Sequence, residues 1–200
     1  MKSTGLNRRD ALRKLAAGGI GAAASTLWVG NLSALARAQA AHAHAAVSVQ
    51  SGTAWAPKVL NAHQQSTVAT LSELIIPQTD TPGAKATLVD RFIDSILQEA
   101  EPGDRARFLR GLEWMDARST ALFKKDFVSA SPAQQTDLLT KLSAEDSRED
   151  RAGVEFFTAI KSMTITGYYT SEIGLQQELG DDGRLAFGEF EGCTHPEHQK

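Results

Sequence analysis

The sequence predicts an all-α protein: a single small helical domain of about five to six helices, with an extended N-terminal arm and an irregular C-terminal extension. Three observations carry that prediction. Apolar residues recur at helical spacing in successive segments between residues 61 and 180. No window alternates with a period of two for long enough to make a strand. Clusters of proline and glycine divide one periodic segment from the next. With 200 residues, 42% hydrophobic and 22% charged, the chain can bury one core of ordinary size.

Residues 1–40 have the layout of an export leader. A basic start, Asn7-Arg8-Arg9-Asp10-Ala11-Leu12-Arg13, precedes an uncharged stretch from Leu15 to Ala36 and small residues at Ala36, Ala38 and Ala40. Arg8 and Arg9, followed by Leu12, resemble the twin-arginine export signal, with Ala11 where that signal usually has phenylalanine. The uncharged stretch is built of Ala and Gly, which contribute little transfer free energy per residue, so cleavage after Ala38 or Ala40 is expected rather than a retained membrane anchor.

The leader also hides the charge of the remainder. The whole chain carries 21 basic and 24 acidic residues, a net charge of −3. Six of the basic residues (Lys2, Arg8, Arg9, Arg13, Lys14 and Arg37) but only one acidic residue, Asp10, lie in the first forty, which leaves 15 basic against 23 acidic and a charge near −8. A protein of that balance is not built to track a phosphate backbone or an anionic lipid surface.

Residues 41–60 are small and polar without a sustained period and read as an extended arm, with Trp55 the one residue expected to be anchored. Val68, Leu71, Leu74 and Ile75 then mark a helix from about Asn61 to Ile76, which Pro77 must stop. The string Pro77-Gln78-Thr79-Asp80-Thr81-Pro82-Gly83-Ala84 reads as a fixed loop. Leu88, Val89, Phe92, Ile93, Ile96 and Leu97 place a wide apolar stripe on a second helix, about Ala86 to Ala100, ended by Pro102-Gly103. Asp104 is expected to cap a third, carrying Phe108, Leu109, Leu112, Met115, Leu122 and Phe123.

Ser131-Pro132-Ala133-Gln134 has the form of a capping box with proline at the first helical position, and Leu138, Leu139 and Leu142 supply the buried face of a fourth helix. The charge run Glu145 to Arg151 reads as the solvated start of a fifth, with Val154, Phe156, Phe157, Ile160, Met163 and Ile165. Gly167-Tyr168-Tyr169-Thr170-Ser171 is expected to interrupt or bend that helix. Ser171 can then cap a short helix to Leu179, ended by Gly180. Residues 181–200 are irregular but carry Phe187, Phe190 and Cys193.

Candidate chemistry is sparse. The closest polar cluster, Cys193-x-His195-x-x-His198, offers three ligands for copper or zinc at a spacing that matches no strong zinc signature, and it supports an alternative reading as a stand-alone periplasmic metal-binding protein. In an oxidising compartment the solitary Cys193 either stays buried or pairs with another chain. His42 and His44 beside the cleavage site, His63 at a helix start, and Glu73 and Asp80 around the Pro77 break form no catalytic set. The chain has no Ser-His-Asp signature, phosphate loop, CxxCH haem attachment or HExxH. Tyr168 and Tyr169, adjacent on a helix, point in different directions, so at least one is expected to leave the domain's own core and, with Phe190, to meet a partner.

The segments Leu74-Ile75-Ile76-Pro77-Gln78-Thr79-Asp80-Thr81-Pro82-Gly83-Ala84, Phe92-Ile93-Asp94, Gly167-Tyr168-Tyr169-Thr170-Ser171-Glu172-Ile173-Gly174 and Gly192-Cys193 with His195 together resemble the small, or gamma, subunit of membrane-bound gluconate 2-dehydrogenase and related FAD-dependent sugar and polyol dehydrogenases. The resemblance runs from about Ser66 to His198. It implies an exported, non-catalytic subunit without catalytic, cofactor or metal residues of its own. Its partner would be a flavoprotein of the glucose-methanol-choline type holding FAD, with a multihaem cytochrome c as a possible third subunit holding haem c. The complex would be periplasmic, membrane-associated only as an assembly, and exported by the twin-arginine route with the small subunit as escort. Carried onto this chain, Asp80, Pro82 and Gly83, with Pro77, Thr79 and Thr81, would fix the loop, and Cys193 would sit at the partner-facing end.

Overall fold

The computed structural model describes residues 27–43, 55–144 and 150–181. The all-α expectation holds: every regular element among the described residues is helical. In chain order they are α1 (Leu27–Ala43), α2 (Ala62–Ile75), α3 (Val89–Glu99), α4 (Pro102–Phe123), α5 (Pro132–Ser143) and α6 (Arg151–Tyr169), followed by a π-helical turn, Gly174–Glu178.

α6 is the axis of the domain and packs against all five other helices. Its buried residues Gly153, Phe156, Phe157, Ile160, Met163, Thr164, Gly167 and Tyr168 recur every three or four positions, which lines them along one broad side. Phe156 meets Phe108 of α4 edge-on, ring centroids 5.1 Å apart. Thr164 answers Ser72 of α2 with a hydroxyl–hydroxyl bond of 3.1 Å, so neither buried oxygen is left without a partner. Leu71, Ile93, Ile96, Leu97, Leu112 and Met115 fill the space around it.

Two helix starts follow the local rule written in their sequences. Ser131 caps α5 through its hydroxyl and Gln134 reaches back to the Ser131 amide, as the capping box predicts. Asn61 and Gln64 make the same reciprocal pair at α2, a start the sequence reading places within one residue.

Other boundaries move, each for a physical reason. Pro102-Gly103, expected to end one helix, opens α4 instead: proline at the first helical position has no amide to lose. Asp104 is therefore not the N-cap but lies in the first turn, buried, where it accepts from the Asn31 side-chain amide at 3.0 Å. α3 begins at Val89 rather than near Ala86, because Leu88 adopts φ 56°, ψ 37° and ends a turn whose amides bond back to Gly83, Ala84 and Lys85. Leu88, expected in the apolar stripe, is 45% exposed. The interruption expected over Gly167-Tyr168-Tyr169-Thr170-Ser171 falls at its later part: α6 runs on to Tyr169, and Thr170 and Ser171 form the turn that ends it. Phe127, which belongs to no period and was not anticipated, is fully buried in the α4–α5 link, its amide bonded to Asp116 and its carbonyl to Gln135.

At the N-terminal side, residues 41–43 are the last turn of α1 and not extended arm. Residues 55–60 belong to no helix and bend at Lys58 and Val59, and Asp94 holds that bend. The backbone amides of Lys58, Val59 and Leu60 all donate to that carboxylate, at 2.8, 3.0 and 2.9 Å. Trp55 is held more loosely, with the Arg91 guanidinium 4.9 Å from its ring centroid.

Candidate functional site

The loop after α2 is locked from three sides. Glu73, in the last turn of α2, accepts the amide of Gln78 with one carboxylate oxygen and that of Lys85 with the other, both at 2.9 Å. The carboxylate thus bridges the two ends of the loop. Gly83 passes directly over it, and a Cβ at that position would overlap both the Glu73 carboxylate and the Gln78 amide, which is why glycine stands there. Within the loop the Thr79 amide donates to the Thr81 carbonyl at 3.0 Å and the Thr79 hydroxyl to Asp80 at 2.7 Å.

The C-terminal end of α6 and the π-helical turn after it supply the second and third locks. The Tyr168 hydroxyl donates to the Pro82 carbonyl at 2.8 Å, 86 residues away in sequence. The Thr81 hydroxyl donates to Glu178 in the π-helical turn at 2.6 Å. That turn is itself anchored: Ser171 donates to the Tyr168 carbonyl at 2.6 Å and accepts from the Gly174 amide at 3.0 Å, as expected of a cap. Gly174 sits so close to the Tyr168 carbonyl that no side chain fits. Gly180, at φ +70°, follows the turn in the left-handed conformation expected of a helix-ending glycine.

Two of the four segments that carry the resemblance, residues 74–84 and 167–174, therefore meet in one structure. Pro77, Thr79 and Asp80 are exposed on it, Thr81 and Pro82 are half-buried, and Gly83 is buried beneath. Leu88 closes the loop and Leu179 closes the turn, and both expose large apolar side chains, 45% and 59%. Tyr168 is a correction: it is fully buried within the chain, so it ties the loop from inside rather than facing a partner. Tyr169, half-buried, packs edge-on against it at 5.1 Å. Glu73 and Glu178, which do much of the tying, were not assigned to the loop by the sequence reading. The pointer to Glu73 is its place just before a Pro-Gly loop whose amides need acceptors.

Arg8, Arg9, Phe190, Cys193, His195 and His198 lie outside the described residues. Among the described residues no three His, Cys, Asp or Glu side chains converge to hold a metal ion. His63 is engaged by Asp116 at 2.6 Å, and the other oxygen of that carboxylate takes the Phe127 amide. The displaced ionisations have local causes. Ser129, through its side chain and its backbone, holds Asp126 below the usual carboxylate range, and burial holds Lys161 below the usual ammonium range. No helix among the described residues is long and apolar enough to cross a membrane.

A family model described as Gluconate 2-dehydrogenase subunit 3 matches residues 62–182, from the first turn of α2 to just beyond the π-helical turn. No curated protein and no solved structure matches the chain.

Proposed function

The chain belongs to the gluconate 2-dehydrogenase subunit 3 family, and from that membership we propose that it escorts and stabilises a periplasmic FAD-dependent dehydrogenase of gluconate, another sugar or a polyol. The observation that carries this reading is the locked loop, residues 76–88, fastened to the end of α6. Rigid backbone of that kind, with Pro77, Thr79 and Asp80 presented outward and Leu88 and Leu179 exposed at its ends, suits a preformed contact surface, because little ordering entropy remains to oppose binding. Asp80, Pro82 and Gly83 serve that surface as backbone shape, not as reacting groups.

In this proposal FAD resides in the large subunit and haem c, where present, in a cytochrome. This chain contributes the twin-arginine leader, so that the flavoprotein crosses the membrane folded with its cofactor. Changing Arg8 and Arg9 together to lysine is expected to leave the flavoprotein in the cytoplasm, scored as flavin-dependent dehydrogenase activity in cell fractions. A fully active periplasmic flavoprotein in that variant would remove the escort role. Cys193, with Phe190 near it in sequence, is proposed to reach the partner and bond to it. Non-reducing electrophoresis of the complex should then show a covalent pair that Cys193→Ser abolishes, and a pattern unchanged by that substitution contradicts the bond.

A further inference from the structure

α1 lies outside the span of residues 62–182 that the family model matches, and its sequence is the later part of the stretch that reads as a removable leader. In the structure it is core. Trp28, Val29, Leu32, Ser33 and Ala36 are all buried, Leu32 and Ala36 almost completely, and Leu35 packs against the same cluster. No other helix packs against α6 as extensively as α1 does, and α1 touches α3 and α4 as well. Asn31 adds a side-chain bond to the buried Asp104 of α4 at 3.0 Å.

The leader reading places a cut after Ala38 or Ala40, where small residues stand two positions apart. Residues at that spacing face the same way only on an extended chain; on a helix they are turned about 200° from each other. α1 continues through both candidate bonds to Ala43. Ala36 accordingly points into the core with no exposed surface, while Ala38 is exposed. The pair cannot enter a peptidase cleft together unless the helix unwinds and Ala36 leaves the core. A cut there would also sever every buried side chain of α1 from the domain it fills and leave an apolar side of α6 open to water.

We propose that α1 is a permanent part of the mature subunit: the bonds after Ala38 and Ala40 stay intact, and whatever is removed from the leader ends before Leu27. The inference rests on the escort reading in one respect, because a chain that crosses the membrane folded meets the peptidase with α1 already docked. It replaces the cleavage expected from the pattern of small residues alone. α1 stays as core and not as an anchor, since no described helix is long and apolar enough to cross a membrane. Arg37 then remains with the exported chain, which leaves 16 basic against 23 acidic residues and a charge near −7.

The intact mass of the chain under denaturing conditions, taken from the complex purified from the periplasm, tests this. That mass should include residues 27–43, with the N-terminus at Leu27 or before it. A chain beginning at Gln39 or Ala41 overturns the proposal. A second measurement needs no export: thermal melting of the full chain purified from the cytoplasm. Leu32→Ala should lower the midpoint by about 5–10 °C. Gly30→Ala, on the exposed side of the same helix with nothing within 4 Å of the added carbon, should not lower it. A Leu32→Ala midpoint equal to that of the wild type overturns the proposal too, because α1 would then contribute nothing to the core. Failure of the chain to reach the periplasm defeats the escort reading alone, and the melting comparison then decides whether α1 belongs to the folded subunit.

Discussion

Asp94→Ala is expected to lower the unfolding free energy by about 3–4 kcal/mol. Its carboxylate is 2% exposed and takes three consecutive backbone amides, those of Lys58, Val59 and Leu60. Alanine leaves all three donors without their acceptor. The Leu60 amide, in the buried part of the contact, cannot turn to water, while the other two are part-buried and recover some solvation. Asp94→Asn separates charge from geometry. Its carbonyl oxygen can still serve Val59 and Leu60, while its amide group would face the Lys58 amide, so roughly half the loss is expected. Urea unfolding measures both. On thermal melting the alanine variant should fall by about 10 °C, and an alanine variant as stable as the wild type would show that the carboxylate does not hold the arm.

Gly83→Val is the second large effect, expected at about 2–4 kcal/mol together with loss of the loop's shape. The added Cβ would overlap the Glu73 carboxylate and the Gln78 amide, so the Glu73 bridge to Gln78 and Lys85 must open. The damage should spread to partner binding, because the loop is the proposed contact surface. Gly103→Ala is the control that reverses the sign. Nothing lies within 4 Å of a Cβ placed at Gly103, in the first turn of α4, so alanine there should stabilise by about 0.5–1 kcal/mol through helix propensity. If both glycine substitutions destabilise alike, crowding is not the reason glycine stands at 83.

What the sequence made legible was whatever is settled within a few residues. The capping box at Ser131 and Gln134 is a contact between neighbours, and the Pro77 to Ala84 loop is announced by its own prolines and glycine. Helical class and the buried stripes of α5 and α6 follow from spacing alone. What was not legible depends on partners far along the chain. Asp94 looks like any polar residue on an amphipathic helix until amides from 34 to 36 positions earlier converge on it. Adjacency of Tyr168 and Tyr169 says that the rings diverge, not that Tyr168 is the inward one. Its role became visible only when the Pro82 carbonyl, 86 residues upstream, appeared at its hydroxyl. Pro102 carries the same local signal whether it stops one helix or starts the next. α1 was hidden for a different reason: the composition of an export leader and that of a buried Ala-rich helix are nearly the same.

The central proposal, motivated by the family match and the locked loop, is that this chain works as an accessory subunit of a flavin-dependent dehydrogenase. Affinity purification of the tagged full chain from its native host, with the visible absorption spectrum and dehydrogenase activity of the eluate, tests it most directly. A large flavoprotein should elute with the chain, with the absorption of oxidised flavin at about one per chain, and gluconate, another sugar or a polyol should bleach that absorption. Elution of the chain alone, colourless, from cells whose flavoprotein is exported and active without it, would contradict the claim.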